Sequence, residues 1–239
     1  MQLIGLLGGM SWQSTAEYYR ILNELVRGRR KGLHSARCLV YSVDFAAIEA
    51  MQAQGRWADA AEALSGATRV LEAAGADFVM LCTNTMHKVA DQVQAAVSIP
   101  LLHLGDATAV AIKQRGIRSV GLLGTRFTMA QSFYRDRLAS HGLRVIVPGQ
   151  EDQAIVNDII YKELCVGISS IESRNEYRRV IRALVDQGAG GIIFGCTEIE
   201  LLVDQTDSDV PVFATTELHC RAAIERALEA TEVRMPSLP

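Results

Sequence analysis

Two stretches of this chain repeat one another in the same order. Ile4-Gly5-Leu6-Leu7-Gly8 returns as Val120-Gly121-Leu122-Leu123-Gly124, and at the same offset Tyr18 falls on Tyr134. Further along, Gly75-Ala76-Asp77-Phe78-Val79-Met80-Leu81-Cys82-Thr83-Asn84-Thr85 can be laid on Gly188-Ala189-Gly190-Gly191-Ile192-Ile193-Phe194-Gly195-Cys196-Thr197-Glu198. Each copy reads as a glycine-capped helix end, a buried strand and a polar turn. A repeat this long requires both halves to be built from the same elements in the same order.

Those elements are readable from periodicity. Short apolar runs at 3–7, 38–43, 78–82, 101–104, 119–123, 145–147, 191–194 and 212–213 read as strands. Amphipathic stretches at 13–29, 57–74, 106–114, 129–140, 152–164, 174–187 and 217–228 read as helices between them. Alternation of this kind is the signature of βα units on a parallel sheet. The expected fold is α/β, with two similar Rossmann-like domains, each a parallel four-stranded sheet flanked by helices. Residues 1–103 would form the first, with a C-terminal helix, 217–239, packing back on it; residues 104–216 would form the second. Ligands bind at the carboxyl ends of parallel strands, so the site is expected where equivalent turns face each other across a cleft between domains.

Composition narrows the function. Hydrophobic residues make up 49% and charged residues 21%, and a net charge of −3 offers no field for phosphate backbones, which argues against nucleic acid. The densest basic run, Arg27-Gly28-Arg29-Arg30-Lys31, closes an amphipathic helix, where positive charge is favoured anyway. No apolar stretch approaches the roughly 18–20 residues of a membrane span, and MQLIGLLGG lacks a basic leader, so a cytoplasmic protein is expected. Five scattered cysteines, with no CxxC and no zinc-type spacing, suggest neither disulfides nor a metal. What remains is whether one cysteine is a base or nucleophile.

Gly5-Leu6-Leu7-Gly8-Gly9-Met10-Ser11 is neither GxGxxG nor a Walker loop. It reads as a tight strand-to-helix turn, or as a loop whose N–H groups and Ser11 hold a carboxylate. Cys196 sits between a strand and what reads as a helix start, where the helix's positive end would lower a thiol's pKa. The repeat places Thr83 opposite Cys196. Cys82 is one residue too early and, by strand alternation, belongs to the core.

The GLLGG start, the Asn84-Thr85-Met86-His87 turn and the Gly195-Cys196-Thr197-Glu198 turn together resemble the aspartate/glutamate racemase family, which also holds hydantoin racemases and arylmalonate decarboxylases. The likeness runs over nearly the whole chain. It implies a two-domain protein without pyridoxal phosphate or metal, in which a cysteine from each domain works on opposite faces of the α-carbon, and it implies a homodimer acting on a small-molecule amino acid. Where the family reads Cys-Asn-Thr, this chain has Thr83-Asn84-Thr85, similar to a subgroup of enterobacterial-type racemases in which threonine and cysteine form the pair. The expected catalytic residues are therefore Thr83 and Cys196. Asn84, Thr85 and Thr197 offer donors for substrate carboxylates, and the resemblance adds Met10 and Gln52. Glu198 reads either as a partner of the helix dipole or as a contact for the substrate amine. Lys162 reads as a solvated helix residue before a ligand, His87 as a turn residue before a catalyst, and Trp12 and Trp57 as packing.

The chemistry of the pair is asymmetric. A thiol titrates near ~8.5, whereas an aliphatic hydroxyl does not ionise at neutral pH. Thr83 can give a proton to a carbanion but is a poor base, so Cys196 is expected to handle one enantiomer readily, by resemblance the L form. Two rival readings are a decarboxylase of a malonate-type acid and a catalytically inactive amino-acid-binding protein. Carbon dioxide release marks the first, and an α-proton left in place marks the second.

Overall fold

The apolar run Ile4–Gly8 forms β1, the centre of a sheet completed by β2 (Cys38–Ser42), β3 (Phe78–Leu81) and β4 (Leu101–Leu102). All pairs are parallel and the order is β2-β1-β3-β4, with Ile4 beside Cys38 on one side and Phe78 on the other. Strand alternation sorts the side chains onto two faces. Leu7, Val79 and Leu81 pack with α2 (Phe45–Ala53), α3 (Trp57–Ala73) and α4 (Ala90–Ala95), while Ile4, Leu6, Phe78, Met80 and Cys82 pack beneath α1 (Trp12–Arg30) and the C-terminal helix Thr215–Glu232. A one-residue slip of β1 would swap Leu6 for Gly5 on the second face and forfeit roughly 1.5–3 kcal/mol for that side chain alone.

A second sheet repeats the plan, with β5 (Ser119–Gly124), β6 (Arg144–Ile146), β7 (Ile192–Gly195) and β8 (Val212–Ala214) in the order β6-β5-β7-β8. One face carries Leu123, Ile192 and Phe194 against α8 (Gln150–Lys162) and α9 (Ile171–Asp186); the other carries Val120, Leu122 and Ile193 against α5 (Leu104–Gln114) and α7 (Ser132–Ser140), with the short α6 (Arg126–Ala130) after β5. The C-terminal helix is α10. The repeated glycine has the same cause in both sheets: a Cβ on Gly5 would stand 2.9 Å from Val79 Cγ1, and one on Gly121 would stand 2.8 Å from Ile192 Cδ1. Val79 and Ile192 are themselves matched positions of the repeat.

This computed structural model describes residues 1–232, as two compact units: Met1–His103 with the chain from His219 onward, and Leu104–Leu218. Of the helix expected over 217–239, residues 233–239 lie outside the described residues. No helix among the described residues is long and apolar enough to cross a membrane.

Three expectations are corrected. The single helix over 129–140 is two helices, because Gln131 is extended (φ −86°, ψ 154°). The break lets Met129 face the α8/α9 cluster while Tyr134 and Leu138 face the other, which no straight helix would do. Trp12 does not pack: it is 68% exposed, because the inward stripe of α1 begins at Ser14 and Thr15 and runs through Tyr18, Leu22 and Val26. Helix α2, capped by Asp44 through its side chain, adds an element that the periodicity did not predict.

Candidate active site

In the first unit the turns that carry the candidate site residues follow β1 and β3. After β1 the chain reverses at Gly9 (φ +90°), where a Cβ would come within 2.2 Å of Val43 O. Ser11 caps α1 by accepting from Ser14 N–H at 3.3 Å, and Thr15 Oγ1 accepts from Gly9 N–H at 2.8 Å while donating to Ser11 O at 3.0 Å. The loop is thereby locked to its own helix, as a tight turn requires. Met10 turns its side chain into the apolar cluster beside Ile48 and Met86, and Gln52, buried on α2, donates from Nε2 to Met86 Sδ at 3.0 Å. Met10 and Met86, the hydrogen-bond partner of Gln52, belong to the same apolar cluster.

After β3, Cys82 still pairs with the sheet through its N–H on Leu7 O at 2.9 Å. Its side chain is fully buried among Tyr18, Met80 and Cys220, and burial, with a lesser push from Cys38, raises its pKa far above the usual thiol range. Thr83 takes the opposite parity and is partly exposed. Asn84 and Thr85 are buried behind it in a 3₁₀ turn, Thr85–Val89. His87 Nδ1 lies 2.8 Å from Thr83 O, and its ring stands edge to face with His103 (centroids 4.6 Å) and near His219 (5.9 Å).

In the second unit, Cys196 directly follows β7 and packs in the same cluster as Ile192 and Phe194. The helix expected after it is a 3₁₀ turn, Thr197–Leu201, and this corrects the electrostatics. The turn brings the Glu198 side chain back over Cys196, whose Sγ–H donates to Glu198 Oε2 at 3.0 Å, both residues being buried. Cys196's pKa is therefore raised well above the ordinary thiol value, first by burial and then by the Glu198 carboxylate, instead of lowered as expected. One turn of 3₁₀ helix has too few aligned peptides to outweigh a carboxylate in contact. Cys165, half-buried, is pushed up to about 12 by burial and by the same carboxylate. Thr197 Oγ1 and Thr216 Oγ1 share a hydrogen bond of 3.1 Å, and Thr215 Oγ1 donates to Phe194 O at 2.8 Å, fixing the end of β7.

Lys162 is exposed and paired with Asp158 at 2.7 Å, one turn away on the same helix. Trp57 packs, with Lys88 Nζ 3.9 Å from its ring centroid. Sequence reasoning missed Ser14, Thr15 and the buried bridge of His219 between Tyr18 Oη (3.0 Å) and Leu102 O (2.8 Å). The recurrence of Tyr18 in the repeat was the one available hint. Among the described residues no group of three or more His, Cys, Asp or Glu side chains could hold a metal ion.

Residues 7–223 match the family model described as Asp/Glu/Hydantoin racemase. The fold superposes on the crystal structure of a candidate Asp/Glu racemase from Yersinia pestis with a TM-score of 0.91 and 57% identity, covering 95% of this chain and 100% of that one. An aspartate racemase homologue from Pyrococcus horikoshii gives 0.85 at 35% identity, again over 95% of this chain and 100% of the other. The broad specificity amino-acid racemase RacX of Bacillus subtilis is 26% identical over 168 residues, 69% of this chain and 70% of that protein.

Proposed function

Because the chain belongs to the Asp/Glu/hydantoin racemase family, we propose that it racemises an acidic amino acid, aspartate or glutamate, without a cofactor, with Cys196 and Thr83 handling the α-proton on opposite faces. The observation that carries this reading is the Cys196–Glu198 pair, a buried thiol donating to a buried carboxylate at the carboxyl end of a parallel strand. A thiol that donates to a carboxylate oxygen has an acceptor for its proton within one hydrogen bond. As Sγ takes the α-proton, the thiol's own proton passes to Glu198. The C–H electron pair stays on the α-carbon and spreads into the α-carboxylate. Thr83 then delivers its hydroxyl proton to the other face, and solvent restores the Thr83 proton and removes that on Glu198.

Substrate carboxylates would meet Asn84, Thr85 and Thr197, with Met10 and Gln52 shaping the pocket near the first turn. Glu198, expected as a partner of the helix dipole or as an amine contact, acts in this reading through the thiol. The homodimer and the cytoplasmic location implied by the resemblance belong to the same proposal, and sedimentation of the purified protein tests the first.

Proton NMR in deuterium oxide with a panel of amino acids tests the function directly. L-Aspartate or L-glutamate should lose its α-proton signal faster than its optical rotation decays, because Cys196 exchanges the proton without needing Thr83. An α-proton signal that persists with every amino acid would reduce the protein to a binder.

A further inference from the structure

The two backbone carbonyls that follow β3 are each held by a buried side chain. Cys82 O accepts from Ser14 Oγ at 3.2 Å, and Thr83 O accepts from His87 Nδ1 at 2.8 Å. In a regular α-helix the His87 backbone N–H would bond to the carbonyl four residues back, that of Thr83. Here the tighter 3₁₀ turn commits that N–H to Asn84 O at 3.1 Å, and the imidazole of the same residue takes its place on Thr83.

The tautomers follow from the partners. A carbonyl only accepts, so His87 carries hydrogen on Nδ1; Leu102 O likewise requires hydrogen on His219 Nε2, and His219 Nδ1 then accepts from Tyr18 O–H. His219 is fully buried, and burial, with a lesser push from His87, lowers its pKa to about 3, so it stays neutral. The His87 ring, 3% exposed, is thus wedged against an uncharged histidine bonded at both nitrogens and against His103. A ring held on this many sides has one orientation.

We infer that His87 is the positioning residue for Thr83: by clamping the Thr83 carbonyl it fixes the backbone from which the Thr83 hydroxyl is presented, and so governs proton delivery on that face without touching the reacting carbon. The inference rests on the reading of Thr83 as the proton donor of the proposed racemisation. The other half of the repeat carries a different residue at the matched place, a carboxylate that cannot donate to a carbonyl as an imidazole N–H does. Cys196 O accepts from the Ile199 backbone N–H at 3.2 Å, and the position matching His87 is Glu200. The difference suits the chemistry, since a poorly acidic hydroxyl protonates carbon only when held in line, whereas a thiol tolerates looser placement.

Three variants in the whole protein test this, with α-deuteration and inversion of L-aspartate and L-glutamate followed side by side. His87→Ala should lower inversion on the order of 10²-fold, the scale of a misplacement of about 1 Å, while deuteration by Cys196 stays within about twofold. His87→Asn, whose amide nitrogen occupies the Nδ1 position and can donate to the same carbonyl, should restore most of the inversion. His87→Gln fills the space but places its donor one bond further out, and should not restore it. Deuteration and inversion falling in equal proportion, inversion unchanged in His87→Ala, or Gln rescuing as well as Asn would each overturn the positioning role. A wild-type protein that deuterated no amino acid would bring down the racemase reading as well, an outcome plainly distinct from the other three.

Discussion

Replacing Glu198 by Gln separates two accounts of the Cys196 thiol, because they predict rate changes of opposite sign. In the structure the carboxylate sits 3.0 Å from Sγ, with both side chains buried. At that separation, with an effective dielectric constant of about 20, a thiolate and a carboxylate would repel by roughly 5 kcal/mol. Removing the charge removes that repulsion and leaves burial as the main force on the thiol, so ionisation should move to lower pH. If the carboxylate were only a neighbour that suppresses the thiolate, Glu198→Gln would release the base and speed α-proton exchange near pH 7. If Glu198 is the acceptor for the thiol's proton, the same variant loses the general base and exchange should fall about 10²–10⁴-fold. Two measurements on one protein decide. Iodoacetamide alkylation, followed by mass spectrometry on the peptide carrying Cys196, should show reaction at lower pH than in the wild type, and NMR should show α-deuteration of L-aspartate and L-glutamate slowed. Exchange equal to or faster than wild type in a variant whose thiol ionises more readily would refute the paired mechanism.

Thr83→Cys places an ionisable group on the second face and should raise turnover from the D side, with kcat/KM for the two enantiomers still held near equality by their equal energies. Cys82→Ala should cost only about 1 kcal/mol of stability and leave inversion in place, as the buried position of Cys82 requires; a folded but inactive Cys82→Ala protein would mean that Cys82 is the second acid/base. Asp207 lies under Arg174 and Arg178 at 2.8 and 2.5 Å, and although burial alone would raise its pKa, these guanidinium groups and the Asp204 N–H hold it at about 2. A carboxyl whose pKa is depressed from 3.8 contributes stability that is complete above that pH and is lost as pH falls toward 2, here roughly 2 kcal/mol. Urea unfolding at pH 5 and pH 2.5 should show a larger loss in the wild type than in Asp207→Asn, which keeps only the acid loss of other depressed carboxyls such as Asp204 and Glu72 and should already be weaker by about 2–3 kcal/mol at pH 5.

The parts of the fold that could be read in the sequence are those set by period and by repetition. Two-residue alternation along Phe78–Leu81 assigns Cys82 to one face and Thr83 to the other, and the structure buries Cys82 with Phe78 and Met80. Glycine at matched places in β1 and β5 recurs because the packing partner recurs, Val79 in one sheet and Ile192 in the other. Where the reading failed, it lacked information about neighbours distant in sequence. Nothing local to 129–140 says that Met129 and Tyr134 face different clusters, and nothing near Trp12 says that the inward stripe starts two residues later.

At the site the same limit decides the chemistry. The motif Gly195-Cys196-Thr197-Glu198 marks the place, yet the direction of the thiol's pKa depends on whether the following turn is α or 3₁₀, and so on where Glu198 points. An α-helix would give Cys196 a run of aligned peptides and carry Glu198 around the axis. The 3₁₀ turn gives neither and returns the carboxylate to the sulfur at 3.0 Å. The matched turn in the first unit is also 3₁₀, and there its consequence falls on a carbonyl: the His87 backbone N–H goes to Asn84, and the imidazole is left to hold Thr83. One local choice of helix type, made twice by the repeat, thus places a carboxylate against the cysteine thiol in one half and an imidazole against the threonine carbonyl in the other. Restoring full acidity to the first half with Thr83→Cys should for this reason relax the demand on the clamp, so that His87→Ala costs less inversion in the Thr83→Cys background than in the wild type; equal costs in the two backgrounds would show that the clamp serves something other than the Thr83 hydroxyl.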